Sequence, residues 1–382
     1  MKTIRLIVTA LAAAIGAAFT PLALADITIG VSISLTGPTS ALGIPTQKGI
    51  ALWPKEIAGE KLNIIVLDDA TDTTKGVRNT RKLITEDKVD VVVGSVTTPV
   101  AVAMADVCAE GKTAQLMLSP ANLPPGKDGW SFRMPQSTAV MAIPIIEQWK
   151  KLGVKTYGFL GYSDGYGEAW LTDIKPLAEK AGIKLVDTER FARADTTVTG
   201  QALKLVAANP DAILVVASGS GAAMPHKGLV ERGYAKGKIY QTHGAATLDL
   251  IRVGGADVEG SFVSSGPAVV AEKLPDANAS KALGMQFKSA FEAANGKGSA
   301  NQFAAHAFDV MLVLQKAVPI ALKKAKPGTP EFRAALKDAF ETMGRTPVSQ
   351  GVLNWTTADH FGYTPETGVL LKVANGDWEV VR

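Results

Sequence analysis

Short apolar runs alternate with amphipathic stretches over the first two-thirds of the chain. Ile27–Ser34 and Val89–Val93 are rich in β-branched residues and show little polar alternation, which is typical of strands buried on both faces. The stretches between such runs, for example Thr74–Glu86 and Val100–Glu110, have helical periodicity. Repeated strand-helix units of this length need right-handed crossovers, so the pattern predicts parallel α/β sheets.

The same alternation predicts most of the remaining elements. Further strands are expected at Leu62–Leu67, Ala114–Leu118, Thr156–Leu160, Lys184–Thr188, Ala212–Ala217, Lys238–Gln241 and Gly260–Ser264, and helices at about Pro45–Ile57, Gly167–Ala181, Thr199–Ala208 and Ala222–Tyr234. After Pro267 come helices at about Asn278–Asn295, Asn301–Lys324 and Glu331–Met343, then strands at Gly351–Trp355, Val369–Ala374 and Asp377–Val381. Asn375-Gly376 predicts a hairpin turn. This ending does not fit a (β/α)8 barrel, so two doubly wound lobes are expected.

The first 25 residues have the pattern of a secretory signal peptide. Lys2 and Arg5 precede the apolar run Leu6–Phe19, and Ala23-Leu24-Ala25 supplies a small-x-small cleavage site before Asp26. The run is short for a bilayer span, and no cysteine follows the site to carry a lipid anchor. No later stretch is predicted to cross a membrane. We expect a soluble exported protein, cleaved after Ala25.

Composition and charge exclude several classes of function. Of the 382 residues 47% are hydrophobic and 20% are charged, and the net charge of +4 is spread without a Lys/Arg block, so no nucleic-acid partner is expected. Cys108 is the single cysteine, so neither an internal disulfide nor a cysteine metal cluster can form. The four histidines lack H-x-x-x-H spacing and no Walker lysine follows a glycine-rich loop. No metal or cofactor is expected.

One motif favours an enzyme. Gly161-Tyr162-Ser163-Asp164-Gly165 matches G-x-S-x-G between a predicted strand and helix, and His360 lies downstream, as in serine hydrolases. However, turns between strands and helices are commonly rich in Gly and Ser, and Ser163 or Asp164 could instead cap the helix. A secreted serine hydrolase therefore remains an alternative to a binding protein without catalytic activity.

An ordered set of short motifs runs through the whole mature chain. It consists of Ile29-Gly30-Val31, Leu35-Thr36-Gly37-Pro38, Asp68-Asp69, Val93-Gly94-Ser95-Val96-Thr97-Thr98, Leu118-Ser119-Pro120-Ala121, Asp164-Gly165-Tyr166-Gly167, Gly351-Val352-Leu353, Asp359-His360 and Val373-Ala374-Asn375-Gly376-Asp377-Trp378. In this set the chain resembles the periplasmic substrate-binding proteins of branched-chain amino acid (Leu/Ile/Val) ABC transporters.

The resemblance implies a type I periplasmic-binding-protein fold, with two Rossmann-like α/β lobes joined by a three-strand hinge. Lobe I would comprise residues 26–136 plus 266–344, and lobe II residues 137–265 plus 345–382. It also implies a periplasmic protein, expected to be a monomer, that closes on a small molecule and delivers it to a membrane permease. A sensor role for the same architecture stays open.

The expected ligand site follows from strand ends and from the resemblance. Ligands in open α/β sheets bind at the carboxyl ends of strands, where hydroxyls and backbone N–H groups suit a carboxylate. Thr97 and Ser119 lie at such ends. The resemblance implies that Thr98 and Ala121 hold the ligand's carboxylate and that Tyr166 covers the ligand from the second lobe. Gly219, after the strand Ala212–Ala217, is also expected at the ligand site. The remaining expected site residues are three positions at which the chain departs from the family pattern.

Three departures from the family pattern indicate the ligand class. Leu123 replaces the usual Thr, His243 stands where amino-acid binders usually carry an acid for the α-ammonium, and Leu42 replaces a first-lobe aromatic. A buried ammonium without a partner is very costly. A small organic acid, such as an aromatic carboxylate, is therefore expected. The alternative is an amino acid whose ammonium pairs with Asp309 or Glu168.

Overall fold

Two mainly parallel sheets organise the computed structural model, which describes residues 26–381. The first lobe is built on β1 (Ile27–Ile33), α1 (Ser40–Ile50), β2 (Glu56–Ile57), β3 (Glu60–Asp68), α2 (Thr73–Thr85), β4 (Val91–Gly94), α3 (Thr98–Glu110), β5 (Ala114–Met117) and β6 (Ser131–Arg133). Its strand order is β2-β3-β1-β4-β5-β6, and only the β2–β3 pair is antiparallel. The order reverses at β1, which places a topological switch point between β1 and β4.

The second lobe repeats this design. Its elements are α4 (Thr138–Lys151), β7 (Thr156–Tyr162), α5 (Gly165–Lys180), β8 (Lys184–Phe191), α6 (Thr199–Ala208), β9 (Ala212–Val216), α7 (Ala223–Val230), β10 (Ile239–Gln241), α8 (Leu248–Gly254) and β11 (Phe262–Ser265). Three helices follow, α9 (Lys281–Asn295), α10 (Gln302–Leu322) and α11 (Pro330–Thr342), and then the hairpin of β12 (Thr346–Val348) and β13 (Gly351–Leu353).

A final hairpin completes the second sheet. β14 (Val369–Ala374) pairs antiparallel with β11 and with β15 (Asp377–Val380), so the strand order is β15-β14-β11-β10-β9-β7-β8. Asn375 and Gly376 both have positive φ, as a two-residue hairpin turn requires. The predicted turn and the predicted α/β lobes are thus confirmed.

Each lobe has its own apolar core. The first core contains β1, β4 and β5 together with Phe287, Phe308 and Phe332 of the late helices, and the second contains β7, β9 and Trp170. Helix α10 is long and apolar enough to span a membrane, which the sequence pattern did not predict, but most of it is buried in the first core. Its apolar character therefore reflects packing inside the lobe.

The division of the chain between lobes stays a proposal. Because Val348, Leu353, Trp355 and Tyr363 pack in the first core and Leu370 in the second, we propose that the last crossover lies at about residues 364–368, later than the expected residue 345. The predicted signal peptide lies outside the described residues.

The structure corrects both ends of the predicted first helix and adds a helix that was not predicted. The first helix begins at Ser40 and ends at Ile50, so Pro45 lies inside it and does not start it. The following residues Glu56–Ile57 form a strand against β3, not the last turn of that helix. Helix α4 was not predicted at all, although the Ser137 hydroxyl caps it by accepting from the N–H of Val140.

Candidate functional site

A narrow cavity lies between the lobes, at the carboxyl ends of strands from both sheets. It is lined by Leu42, Val96, Thr97, Thr98, Leu118, Pro120, Pro135, Tyr166, Arg193, Ser218, His243, Gly244, Gln302, Phe303 and His306. The volume of this cavity is only about 20 Å³. The two lobes are therefore nearly in contact across it.

Hydroxyl groups form the first-lobe wall. Thr97 and Thr98 begin α3 after β4, and both Oγ1 atoms are buried without a hydrogen-bond partner among residues 26–381. Thr97 occupies the N-cap position but its side chain makes no capping bond, and Thr98 is the first helical residue. Thr98 is therefore not the N-cap of α3. Both hydroxyls remain available to a ligand, next to a helix N-terminus that favours anions.

A buried carboxylate holds the loops beneath these threonines. Asp69 accepts hydrogen bonds from the hydroxyls of Ser34 and Ser95, at 2.6 and 2.7 Å, and from the N–H of Thr71 at 2.9 Å. Burial raises the pKa of Asp69 above its ordinary value, while the three donors oppose that shift. Ser34 follows β1 and Ser95 follows β4, so Asp69 ties together the two loops at the switch point of the first sheet.

Tyr166 contributes an aromatic ring from the second lobe. Its hydroxyl lies 2.9 Å from Oγ1 of Thr242 and accepts from the N–H of Gly244 at 3.2 Å. Burial raises the pKa of Tyr166 to about 12, so the hydroxyl keeps its proton at neutral pH. These bonds fix the ring on the cavity wall.

Arg193 brings a positive charge to the cavity. Its Nε donates to Oδ2 of Asp164 at 2.6 Å and its Nη1 to the hydroxyl of Ser218 at 3.0 Å. The guanidinium carbon lies 4.1 Å from the ring centroid of Tyr162, a cation–π distance. Arg193 follows β8 by two residues and so lies at a strand end, but it was not among the predicted site residues.

Two buried histidines face the cavity from opposite lobes. His243, after β10, has no partner for Nδ1, and His306, on α10, has none for either ring nitrogen within the described chain. Burial lowers the pKa of each to about 3, and for His306 the nearby His243 adds to the effect. Both rings are therefore neutral at physiological pH in the ligand-free protein.

Helix α10 also joins the lobes directly. The side-chain amide of Gln302 donates to the backbone carbonyl of His243, and the Gln302 carbonyl is 3.5 Å from Nε2 of Gln350. Gln302, Phe303 and His306 were missed from the sequence because they begin a helix that follows no strand. Only packing brings this helix to the strand ends.

Five of the nine predicted site residues line the cavity. Leu42, Thr97, Thr98, Tyr166 and His243 line the cavity. Ser119 lies between two lining residues, and its buried hydroxyl has no partner in the described part of the chain.

The other three predicted site residues lie outside the lining. Ala121 is buried with Met117, Leu123 packs at the edge of the same cluster, and the Ala121 carbonyl accepts from Nε of Arg133 at 2.9 Å. Gly219 packs close to Leu42, and a Cβ added to it would lie 2.7 Å from Leu42 Cδ1. The ligand-binding roles of all nine residues stay predictions.

Neither acid suggested as an ammonium partner lines the cavity. Glu168 is exposed and pairs with Arg190, with 2.5 Å between Oε1 and Nε. Asp309 is fully buried and accepts from the N–H groups of Ser349 and Gln350 at 2.7 and 3.1 Å. Burial raises the pKa of Asp309 to about 7. Its two oxygens are occupied by the backbone beside the crossovers.

The structure also contradicts the hydrolase alternative. Ser163 is exposed in the second lobe, whereas His360 is buried in the first lobe and stacked on Phe132 with 4.0 Å between ring centroids. Nδ1 of His360 contacts the carbonyl of Asp128 at 2.8 Å, and Nε2 lies 3.1 Å from Glu341 Oε1. His360 therefore cannot act as the general base for Ser163. The motif's Asp164 caps α5 by accepting from the N–H of Tyr166.

Comparisons with known proteins agree on one family. A family model described as periplasmic binding protein matches residues 26–376. The chain is 27% identical over 276 residues to Leu/Ile/Val-binding protein homolog 3 of Brucella melitensis, covering 67% of this chain and 71% of that protein. It is 45% identical to the solved structure of an extracellular ligand-binding receptor from Rhodopseudomonas palustris HaA2, with a TM-score of 0.91 and coverage of 94% and 100%.

A more distant structure has an identified ligand. A solute-binding protein of an ABC transporter from Rhodopseudomonas palustris, solved in complex with benzoate, is 18% identical, has a TM-score of 0.76, and is matched over 93% of this chain and 95% of its own. At this identity the likeness concerns the fold alone.

Proposed function

This chain belongs to the periplasmic binding protein family, and from that premise we propose that it traps a small organic acid, an aromatic carboxylate, between its two lobes and delivers it to the permease of an ABC importer. The family's members are extracytoplasmic solute-binding proteins and not enzymes. The two α/β lobes have the type I architecture of that family. What remains to be argued is the ligand.

The hydrogen-bonding groups of the cavity carry the proposal. Its lining includes Arg193, two histidines and the free hydroxyls of Thr97 and Thr98, but no carboxylate from residues 26–381. An amino acid would leave its ammonium group without a counter-charge in a nearly dry site, which is strongly unfavourable. A carboxylate, by contrast, meets hydrogen-bond donors on both walls.

The apolar lining supports a ring-bearing acid. Leu42, Val96, Leu118 and Phe303 surround the same space, and the ring of Tyr166 borders it. Such walls bury a flat apolar body, while the donors hold its acid end. The names of the Leu/Ile/Val-binding relatives favour a branched-chain amino acid as the second candidate.

A thermal-shift screen of two ligand panels tests the proposal. One panel holds aliphatic, aromatic and basic amino acids, and the other benzoates, phenylpropanoids and short aliphatic acids. A ligand at 100 times its Kd adds about 2.7 kcal/mol to the free energy of unfolding, enough to raise the melting temperature by several degrees. We expect only acids of the second panel, which lack an α-ammonium group, to raise the melting temperature. Hits confined to amino acids would overturn the proposed ligand class.

A matched pair of arginine variants tests the mode of binding. Arg193→Gln removes the cavity's positive charge, and we expect benzoate or cinnamate affinity to fall by a factor of about 30, equivalent to about 2 kcal/mol. Arg190→Gln removes an exposed arginine three residues earlier, whose partner is Glu168, and should leave affinity unchanged. Equal losses in both variants, measured by calorimetry, would contradict a role for Arg193 at the ligand.

Export and partners complete the proposal. The pattern of residues 1–25 supports a cleaved signal peptide, with Asp26 as the first residue of a monomeric periplasmic protein. Mass spectrometry of the protein recovered from the periplasm should find Asp26 at its amino terminus. A retained residue 1 would contradict cleavage.

A further inference from the structure

The positive charge of the cavity is already balanced before any ligand arrives. Arg193 pairs with Asp164, whose carboxylate also accepts from the N–H groups of Tyr166 and Gly167 at 2.9 and 3.4 Å. Asp164 is thus held in place by the start of α5 and cannot withdraw. A carboxylate that enters this space brings one uncompensated negative charge into a site with little water.

His243 and His306 are the groups that can offset this charge. Both are more than nine-tenths buried, both line the cavity, and three of their ring nitrogens have no hydrogen-bond partner in the described residues. A neutral imidazole has one donor and one acceptor nitrogen, so it leaves an acceptor unused beside an anion, whereas an imidazolium donates from both. An unpartnered buried acceptor next to an incoming anion is an unfavourable arrangement that one proton reverses.

No carboxylate among residues 26–381 lines the cavity around the two rings. His243 faces the rings of Tyr166 and Trp170 of α5, at centroid distances of 5.8 and 5.6 Å, and Arg193 lies on the same wall. On α10, Asp309 follows His306 by three residues but bonds to the backbone of residues 349 and 350, outside the cavity lining. Tyr166 keeps its own proton, because burial raises its pKa to about 12.

We propose that the carboxylate ligand binds together with one proton from solvent, which the His243–His306 pair takes up. The inference rests on the proposed function and adds the proton as a second ligand. One ionised carboxylate and one neutral imidazole become a carboxylate–imidazolium pair, so the filled cavity is again neutral. The protein would thereby bind the acid most tightly on the acid side of neutrality.

The sign of the pH dependence follows from linkage. Burial in the closed cavity lowers the pKa of both histidines to about 3, and opening of the lobes returns it to no more than about 6.5, so both are neutral at pH 7.5 before the anion binds. The bound anion raises the pKa of the histidine pair in the complex. Because the complex binds more protons than the free protein, affinity is greatest at low pH and falls as the pH rises. Above about pH 6.5, where the free acid and the free imidazoles have both lost their protons, complete uptake of one proton means that the affinity falls tenfold per pH unit.

Isothermal titration calorimetry measures the proton directly. Benzoate and cinnamate are titrated into the mature protein at pH 7.5 in phosphate, HEPES and Tris, whose ionisation enthalpies differ, and the slope of observed enthalpy against ionisation enthalpy gives the number of protons taken up. We expect a value near one. Binding with a value near zero would overturn this inference and leave the proposed function standing.

Variants identify the proton's location. The double variant His243→Gln/His306→Gln keeps a donor and an acceptor at each position but cannot be protonated, so its uptake should fall to about zero. His226→Gln is the control, since His226 is also buried but contacts Asp257 and Gln241 outside the cavity lining, and its uptake should stay near one. Uptake near one in the double variant would place the proton on the ligand and overturn the inference. If neither the wild-type protein nor the double variant binds any carboxylate, both the proposed function and the inference about the proton fail.

Discussion

At the scale of single residues, the site is marked by polar atoms that lack partners. Buried polar groups are nearly always hydrogen-bonded, so several unpartnered ones facing one cavity need an explanation. The hydroxyls of Thr97 and Thr98 and the rings of His243 and His306 are such groups. A ligand that supplies the missing partners explains all of them at once.

Removing one of these hydroxyls should affect stability and binding in opposite directions. Thr98→Val deletes a buried hydroxyl without a partner, so we expect the free energy of unfolding without ligand to rise by up to about 1 kcal/mol. The same change removes a donor to the ligand, so benzoate or cinnamate affinity should fall about tenfold. Chemical denaturation and calorimetry give the two values.

Thr113→Val is the matched control. Its buried hydroxyl donates to the carbonyl of Gly111 at 3.0 Å and does not line the cavity. This variant should lose about 1 kcal/mol of stability and keep its affinity. If Thr98→Val behaved in the same way as the control, Thr98 would have no part in binding.

At the scale of elements, the predictions from the sequence were correct where a short local motif restricts the backbone conformation. The terminal hairpin was predicted from Asn375-Gly376 because a two-residue turn with positive φ has few acceptable sequences. The first helix was misplaced because Pro45 has the character of a first-turn residue, yet the helix starts five residues earlier. Packing on the neighbouring elements outweighed that local preference.

Capping of α11 allows a test of one element without the site. The Thr329 hydroxyl accepts from the N–H of Phe332 at 3.1 Å, and Pro330 occupies the first helical position. Thr329→Ala should cost about 1 kcal/mol of stability and lower the melting temperature by about 1–2 °C. Ligand affinity at a temperature well below melting should not change. A change in affinity would link α11 to closure, which the contacts do not suggest.

At the scale of the whole molecule, closure depends on contacts between the lobes. Gly219 of the second lobe packs on Leu42 and Ala41 of the first, and Gln302 donates to the carbonyl of His243 across the same cavity. A hinged protein of this kind holds its ligand only while such contacts can form. Small residues at the contact allow the backbones to approach.

Gly219→Ala should act as a wedge between the lobes. The added Cβ would lie 2.7 Å from Leu42 Cδ1 and 3.2 Å from Ala41 Cβ, so the lobes must separate or shift. We expect at least a tenfold loss of affinity for benzoate or cinnamate and a larger radius of gyration by small-angle X-ray scattering with ligand present.

Gly182→Ala separates this effect from backbone strain. Gly182 also has positive φ, at +73° against +55° for Gly219, but a Cβ there would meet nothing within 4 Å. Both variants should lose about 1 kcal/mol of stability from the strained backbone. Only Gly219→Ala should alter affinity and size, and equal affinities in the two variants would exclude the wedge.

The fold class, the family, the strand-end position of Thr97 and Thr98, and the histidine at position 243 could all be predicted from the sequence. These features follow from local periodicity, short motifs and the identity of single residues, all of which are readable along the chain. The tertiary structure alone decided that Arg193 and His306 share a cavity with His243, and that Asp309 and Ala121 do not line it. The reason is that lobe closure brings together helices and loops far apart in sequence, and the side each residue faces depends on packing that no local pattern records.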